Sequence, residues 1–305
     1  MATVWTLLML WCFASVAGVS HGVELRGAGS SFVYNLVNDV LFQFEYTHPG
    51  TGVTYVSTGS GRGKCRIMDP STCDAGDTVE PKELDFAASD SFLSEADSQS
   101  FPDLKMYPMV AGAVVPVHNL PELEGQAEAL KMSVSVLARI YRCNVTHWDD
   151  PAIKALNRPI ENRLPHLPIQ IAARADSSGT TEIFKRALAQ RDATFQENIG
   201  TSSTGGEEGW PCSQGNENYN FRQRTDGVAS FVLATPYSLG YMAFGDADKL
   251  GLEMVSLVTP CGVAVKPSQT SIAEALSATP LPEELRIEEG AGVGISEDDA
   301  GLISG

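Results

Sequence analysis

The sequence predicts an α/β protein, and three patterns carry that expectation. Short apolar runs alternate with segments of helical periodicity, strands end in Gly/Ser/Thr turns that open helices, and several runs are apolar throughout, as strands buried on both faces are. The 305 residues are 43% hydrophobic and 19% charged, which suits about two domains of roughly 150 residues. A wholly disordered or collagen-like chain is excluded by the same figures.

Val4 to Ala14 is an apolar run without charge, followed by small residues up to Ser20, and residues 1–22 read as a signal peptide. The run is shorter than the ~20 residues of a membrane span, and no comparable one follows, so a secreted, extracellular or periplasmic chain with no membrane span is expected. Past Cys12 lie Cys65, Cys73, Cys143, Cys212 and Cys261, which would meet an oxidising compartment. Cys65 and Cys73 are close enough to close a small disulfide loop, and the odd count leaves one thiol over.

Val23 to Leu25 starts a strand that enters the turn Gly27-Ala28-Gly29-Ser30-Ser31-Phe32. Val33, Leu36, Val37, Val40, Leu41 and Phe44 then recur at helical spacing until His48-Pro49-Gly50. Val53 to Val56 is a second strand, running into Gly59-Ser60-Gly61. Leu84 to Ala88 is a short strand ending at Ser89-Asp90, and Met109 to Val117 a longer apolar one. Helices are expected over Ser133 to Tyr141 and from Pro151 through Leu156. The strand Ile169 to Ala173 delivers Arg174-Ala175-Asp176-Ser177-Ser178-Gly179-Thr180-Thr181, and Ile183, Phe184, Ala187 and Leu188 line the helix that follows. Gly200 to Gly209 reads as an exposed loop, Val228 to Leu233 as a helix and Ser238 to Met242 as a strand.

Lys and Arg number 21 and Asp and Glu 38, for a net charge of −17 that repels polyphosphate backbones, so no nucleic-acid partner is expected. A small anion is still admissible, because backbone N–H groups and a buried Arg act at short range. Three turns share one design, at Ser30-Ser31-Phe32, at Ser60 and at Ser178-Gly179-Thr180. Helix starts expose N–H groups and a positive dipole end, and the hydroxyls add donors. Any one of them alone is an ordinary N-cap; three, with Arg174 and the strand-end Asp90, make a more specific set. No nucleotide-binding glycine pattern, G-x-S-x-G elbow, C-x-x-C or H-E-x-x-H occurs, so no cofactor or metal is expected. Asn144-Val145-Thr146 is the one N-glycosylation sequon.

The runs Gly27 to Phe32, Gly59-Ser60-Gly61, Asp85 to Asp90, Trp148-Asp149-Asp150 and Arg174 to Thr181, in that order, resemble the PstS-like phosphate-binding proteins of bacterial ABC transporters. The similarity extends through Gly227-Val228-Ala229, Leu239-Gly240-Tyr241 and Val265-Lys266-Pro267, from about Glu24 to about Leu276. It implies a two-lobed periplasmic-binding-protein-like fold of type II with two hinge strands. Residues 23–111 and 242–305 would build the first lobe and residues 112–241 the second. Ser31, Phe32, Ser60, Asp90, Arg174, Ser178, Gly179 and Thr180 fall on the family's phosphate positions, and Asp176 would hold the Arg174 guanidinium.

By that resemblance the chain is a monomeric, non-enzymatic binder of inorganic phosphate for uptake or sensing, working with an ABC permease or within a larger surface receptor. Alternatives are another oxyanion such as sulfate, or phosphoester hydrolysis. The family continues beyond the stretch matching Leu276, whereas Glu288 to Gly305 is acidic and glycine-rich. The first lobe is therefore expected to be incomplete, residues 288–305 to form a poorly ordered tail, and Cys261 to find its partner past Gly305.

Overall fold

The computed structural model describes residues 23–73, 79–81 and 83–278. The expected signal peptide and the acidic tail lie outside the described residues. In chain order the elements are β1 (Val23–Gly29), α1 (Tyr34–Thr47), β2 (Thr51–Ser57), α2 (Ser60–Met68), β3 (Phe86–Ala88), α3 (Glu95–Ser100), β4 (Val114–Asn119), β5 (Lys131–Ser133) and α4 (Val134–Tyr141). Next come α5 (Pro151–Leu156), β6 (Gln170–Arg174), α6 (Gly179–Arg191), α7 (Ala193–Asn198), α8 (Gly206–Gly209), β7 (Tyr219–Arg222) and α9 (Arg224–Ala234). The last are β8 (Ser238–Ala243), α10 (Phe244–Lys249), β9 (Glu253–Met254), β10 (Ser256–Val258), β11 (Ala264–Val265) and α11 (Gln269–Ala278).

The amino-terminal elements form a three-stranded parallel sheet in the order β2-β1-β3. A larger mixed sheet runs β7-β6-β8-β4-β9, with the small sheet β11-β10-β5 beside it. β4 and β8 are buried over nearly their whole length because helices cover both faces of the large sheet. Alternate residues feed two separate cores: Val114, Ile171, Ala173 and Leu239 on one side, Val115, Val117, Ala172 and Met242 on the other. Both cores pack against the large mixed sheet. On the amino-terminal sheet, α1 buries only Val37, leaving Leu36, Val40 and Phe44 on an exposed stripe, because three strands offer the helix a narrow floor.

Three expectations are corrected. The apolar run from Met109 becomes strand only at Val114, where β8 first supplies a hydrogen-bonding partner; Met109 and Val110 stay exposed. The chain does not return to the first sheet at Met242, since β9 pairs with β4 and β10 pairs in parallel with β5. The segment Gly200 to Gly209 is only partly a solvent loop, with Ser202, Glu207 and Glu208 exposed and the remaining residues half-buried or buried. Gly209 and Trp210 are buried, and Trp210 packs on Tyr141, Phe195, Tyr219 and Tyr241.

Two disulfides are formed, Cys65–Cys73 and Cys143–Cys212, and Cys261 is an exposed free thiol. The second pair spans 69 residues and ties the end of α4 to the turn after Trp210, a pairing that spacing alone left open.

Candidate functional site

Each predicted turn sits where a parallel strand hands over to a helix. β1 leads to Ser30 and Ser31, β2 to Ser60 at the start of α2, and β6 to Ser178 as N-cap of α6. Such handovers place helix N-termini at one end of the sheet, with N–H groups of the first turn free of intrahelical partners. The Ser178 hydroxyl accepts from Thr181 N–H at 3.3 Å, which leaves the Gly179 and Thr180 amides at the mouth of the helix.

The three turns meet at the junction of the lobes. Ser60 Oγ donates to Asp90 Oδ1 at 3.1 Å, and Thr180 Oγ1 donates to Asp90 Oδ2 at 3.0 Å. Gly61 N–H reaches the Ser177 carbonyl at 3.3 Å. Ser31 Oγ lies 2.9 Å from Thr225 Oγ1, bridging the first turn to α9. Gly179 has to be glycine because any Cβ would stand 2.7 Å from the backbone of Asp90 and Ser91. Phe32 is half-buried and its N–H is taken up by Ser30 Oγ at 3.0 Å.

Arg174 is 2% exposed and grips Asp176 through Nε at 2.9 Å and Nη2 at 2.5 Å. A guanidinium has five N–H donors, so three remain for another acceptor. Asp176 also receives the Arg224 N–H at 2.8 Å, which orients the pair and links it through Thr225 to Ser31. Tyr55 OH donates to the Ser30 carbonyl at 2.8 Å; burial, and secondarily the charge of Asp90, push that phenol far up and keep it a neutral donor. Tyr241 OH lies behind the site, taking the Arg174 N–H at 3.3 Å and meeting Thr181 Oγ1 at 2.7 Å, with burial pushing it up to about 12.

Thr225, Tyr241, Tyr55, Ser177 and Ser203 are site residues that sequence reasoning did not find. Ser177 lies within the Arg174 to Thr181 turn but was not singled out; the other four sit outside the turn motifs and reach the site through long-range contacts. His118, Asn144 and Cys261 stand apart: His118 is buried beside Trp148, Asn144 is exposed after α4 and Cys261 follows β10. Among the described residues no group of three His, Cys, Asp or Glu is placed to hold a metal, and no helix is long and apolar enough to cross a membrane.

The PBP superfamily domain matches residues 15–293. A phosphate-binding protein PstS of Pasteurella multocida is 32% identical over 265 residues, covering 87% of this chain and 69% of its own length. The chain belongs to the PstS family. A PstS of Methanocaldococcus jannaschii is 31% identical over 256 residues, 84% of this chain and 62% of the relative. The chain thus spans about two thirds of the length of these curated family members. Among solved structures, a high-affinity periplasmic phosphate-binding protein (PfluDING) bound with phosphate superposes with a TM-score of 0.62 at 21% identity, covering 91% of this chain and 72% of that one. That likeness is one of fold, the periplasmic-binding-protein arrangement of α/β lobes.

Proposed function

We propose that this PstS-family chain binds one inorganic phosphate ion between the Ser31, Ser60 and Asp90 turns and the Arg174 to Thr180 segment, for uptake or sensing outside the cytoplasm. The observation that carries the reading is the Asp90 carboxylate receiving one hydroxyl from each lobe, beside a buried guanidinium with spare donors. Arg174 offers charged donors to phosphate oxygens, the Gly179 and Thr180 amides add neutral ones, and the Ser31, Ser60, Ser178 and Thr180 hydroxyls rotate to serve the rest. The Phe32 amide joins them once Ser30 Oγ yields it.

Asp90 is the discriminator. Phosphate near neutral pH keeps a proton that the carboxylate can accept, whereas sulfate has none and would leave two anions facing each other at a cost of several kcal/mol. Recognition of this kind needs no bond to break, and the chain acts as a binder that hands phosphate to an ABC permease or a larger surface receptor. The leader over residues 1–22 and a glycan on Asn144 fit the same extracytoplasmic setting.

Isothermal titration of the purified chain with phosphate, and with sulfate as competitor, tests the proposal. A single phosphate site that millimolar sulfate leaves untouched is the expected result. Sulfate binding as tightly as phosphate, or steady release of phosphate from a simple ester, would replace it with one of the alternative readings.

A further inference from the structure

Lys185 is a buried cation that the phosphate site does not use directly. It lies on α6, is fully buried, and its Nζ donates to the Thr204 carbonyl at 3.0 Å while standing 4.6 Å from the Trp210 ring centroid. The loop it holds is the one that closes behind the anion-binding turn. Ser203, just before Thr204, accepts the Ser178 N–H on its carbonyl at 2.9 Å and meets Ser177 Oγ at 3.0 Å. Just after it, Gly205 lies so near the Arg174, Ala175 and Asp176 backbone that no side chain fits. Thr204 is therefore the anchor between two residues that brace the segment 174–178.

We infer that Lys185 is a positioning residue, a charged strut that holds the 203–210 loop against the phosphate-binding turn and so makes phosphate affinity depend on its ammonium charge. The inference rests on the phosphate reading above for the identity of the ligand. Burial alone pulls Lys185 down to about 8, so the strut discharges in mildly alkaline solution.

The groups facing it do not share that titration. Tyr141 of α4, Tyr219 of β7 and Tyr241 of β8 surround Trp210 and are held high by burial. Cys143 and Cys212 are locked in a disulfide. Arg174 and Asp176 form their own buried pair, and Arg142, just past α4, forms a half-buried one with Asp192. Glu182 and Arg186 pair on the outer side of α6, and Glu207 and Glu208 of α8 are exposed.

Lys185→Met keeps the packing length and removes the charge. Phosphate affinity of wild type and Lys185→Met is measured at about pH 6.5 and about pH 9.5, either side of the shifted titration. The ratio at each pH cancels the titration of phosphate itself. Expected is a loss of about tenfold at the lower pH, as for one charge-assisted hydrogen bond. At the higher pH, where wild type has lost its own charge, the two proteins should agree. An equal loss at both values would show a packing role only, and no loss at either would remove the strut.

Hydrogen-exchange protection of residues 203–209 is read on the same two proteins without ligand. Loss of protection in Lys185→Met at the lower pH is expected even if phosphate proves not to be the ligand. Unchanged protection there would overturn the inference independently of what the site binds.

Discussion

Thr180 Oγ1 and Asp90 Oδ2 lie 3.0 Å apart although 90 positions separate the two residues in sequence. With Ser60 on its other oxygen, the Asp90 carboxylate takes a hydroxyl from each lobe, alongside the Gly61–Ser177 and Ser31–Thr225 contacts. A carboxylate has about four lone-pair sites, so two hydroxyls leave room for a ligand proton.

Asp90→Asn keeps both contacts, since the hydroxyls accept from an amide as readily as they donate to its oxygen. The charge that repels sulfate disappears. Preference for phosphate over sulfate should fall by about a hundredfold with the fold intact. Paired titrations with the two anions measure it, and an unchanged preference would move discrimination to another residue.

Arg174→Ala removes the fork and strands Asp176 without its partner in a buried site. Phosphate binding should vanish, with a loss of roughly 3–5 kcal/mol in stability, the usual cost of breaking a buried pair. Arg174→Lys retains charge without the planar fork and should fold while binding phosphate about a hundredfold more weakly. Urea titration separates the two effects.

Gly179→Ala places a methyl group against the Asp90 and Ser91 backbone, which cannot rotate away as a side chain would. Overpacking of this sort costs about 1–3 kcal/mol, here charged to lobe closure. Phosphate affinity should drop about tenfold or more, while thermal unfolding without ligand shifts little.

His118 is buried on β4 with its Nδ1 among the unpartnered polar atoms, and burial pulls it down to about 4. Between pH 4 and 6.5 the unfolded chain takes up a proton that the folded chain refuses, so stability falls as pH drops through that window. The full loss is about 3 kcal/mol, at about 1.4 kcal/mol per pK unit. His118→Leu should flatten the wild-type acid slope by about 2 kcal/mol between pH 7 and about pH 4.5 in urea unfolding, most of the full loss. Parallel slopes would mean that His118 charges freely in the fold.

The two disulfides should differ in weight. Cys143–Cys212 closes a far longer loop than Cys65–Cys73, 69 against 8 residues of separation. Chain-entropy arithmetic assigns roughly 4 kcal/mol to the first and 2–3 kcal/mol to the second. Urea midpoints of the two Cys→Ser double variants rank them directly.

The turns were legible because they are local. Ser178 caps the helix three residues ahead of Thr181, and Arg174 meets Asp176 two residues on, so residue type and spacing carried the information. The loop at Gly200 to Gly209 was misread because its Gly, Ser and Glu composition resembles solvent-facing chain. What turns it inward is Trp210, whose aromatic neighbours come from α4, α7, β7 and β8. The spacing of apolar residues in α1 marked a helix correctly, but periodicity reports only which face could be buried, and the narrow β2-β1-β3 sheet decides how much is.

By itself the sequence determined the α/β class, the three Gly/Ser/Thr turns that open helices and the Cys65–Cys73 loop, and its resemblance to the PstS-like proteins supplied the candidate set Ser31, Phe32, Ser60, Asp90, Arg174, Ser178, Gly179 and Thr180. Only the tertiary structure decided that Ser31 meets Thr225 across 194 residues, that β9 pairs with β4 and β10 with β5, and that Lys185 reaches Thr204. Caps and turns are settled by hydrogen bonds within a few residues. Long-range pairs depend on sheet register and on how the lobes close, and a one-dimensional pattern records neither.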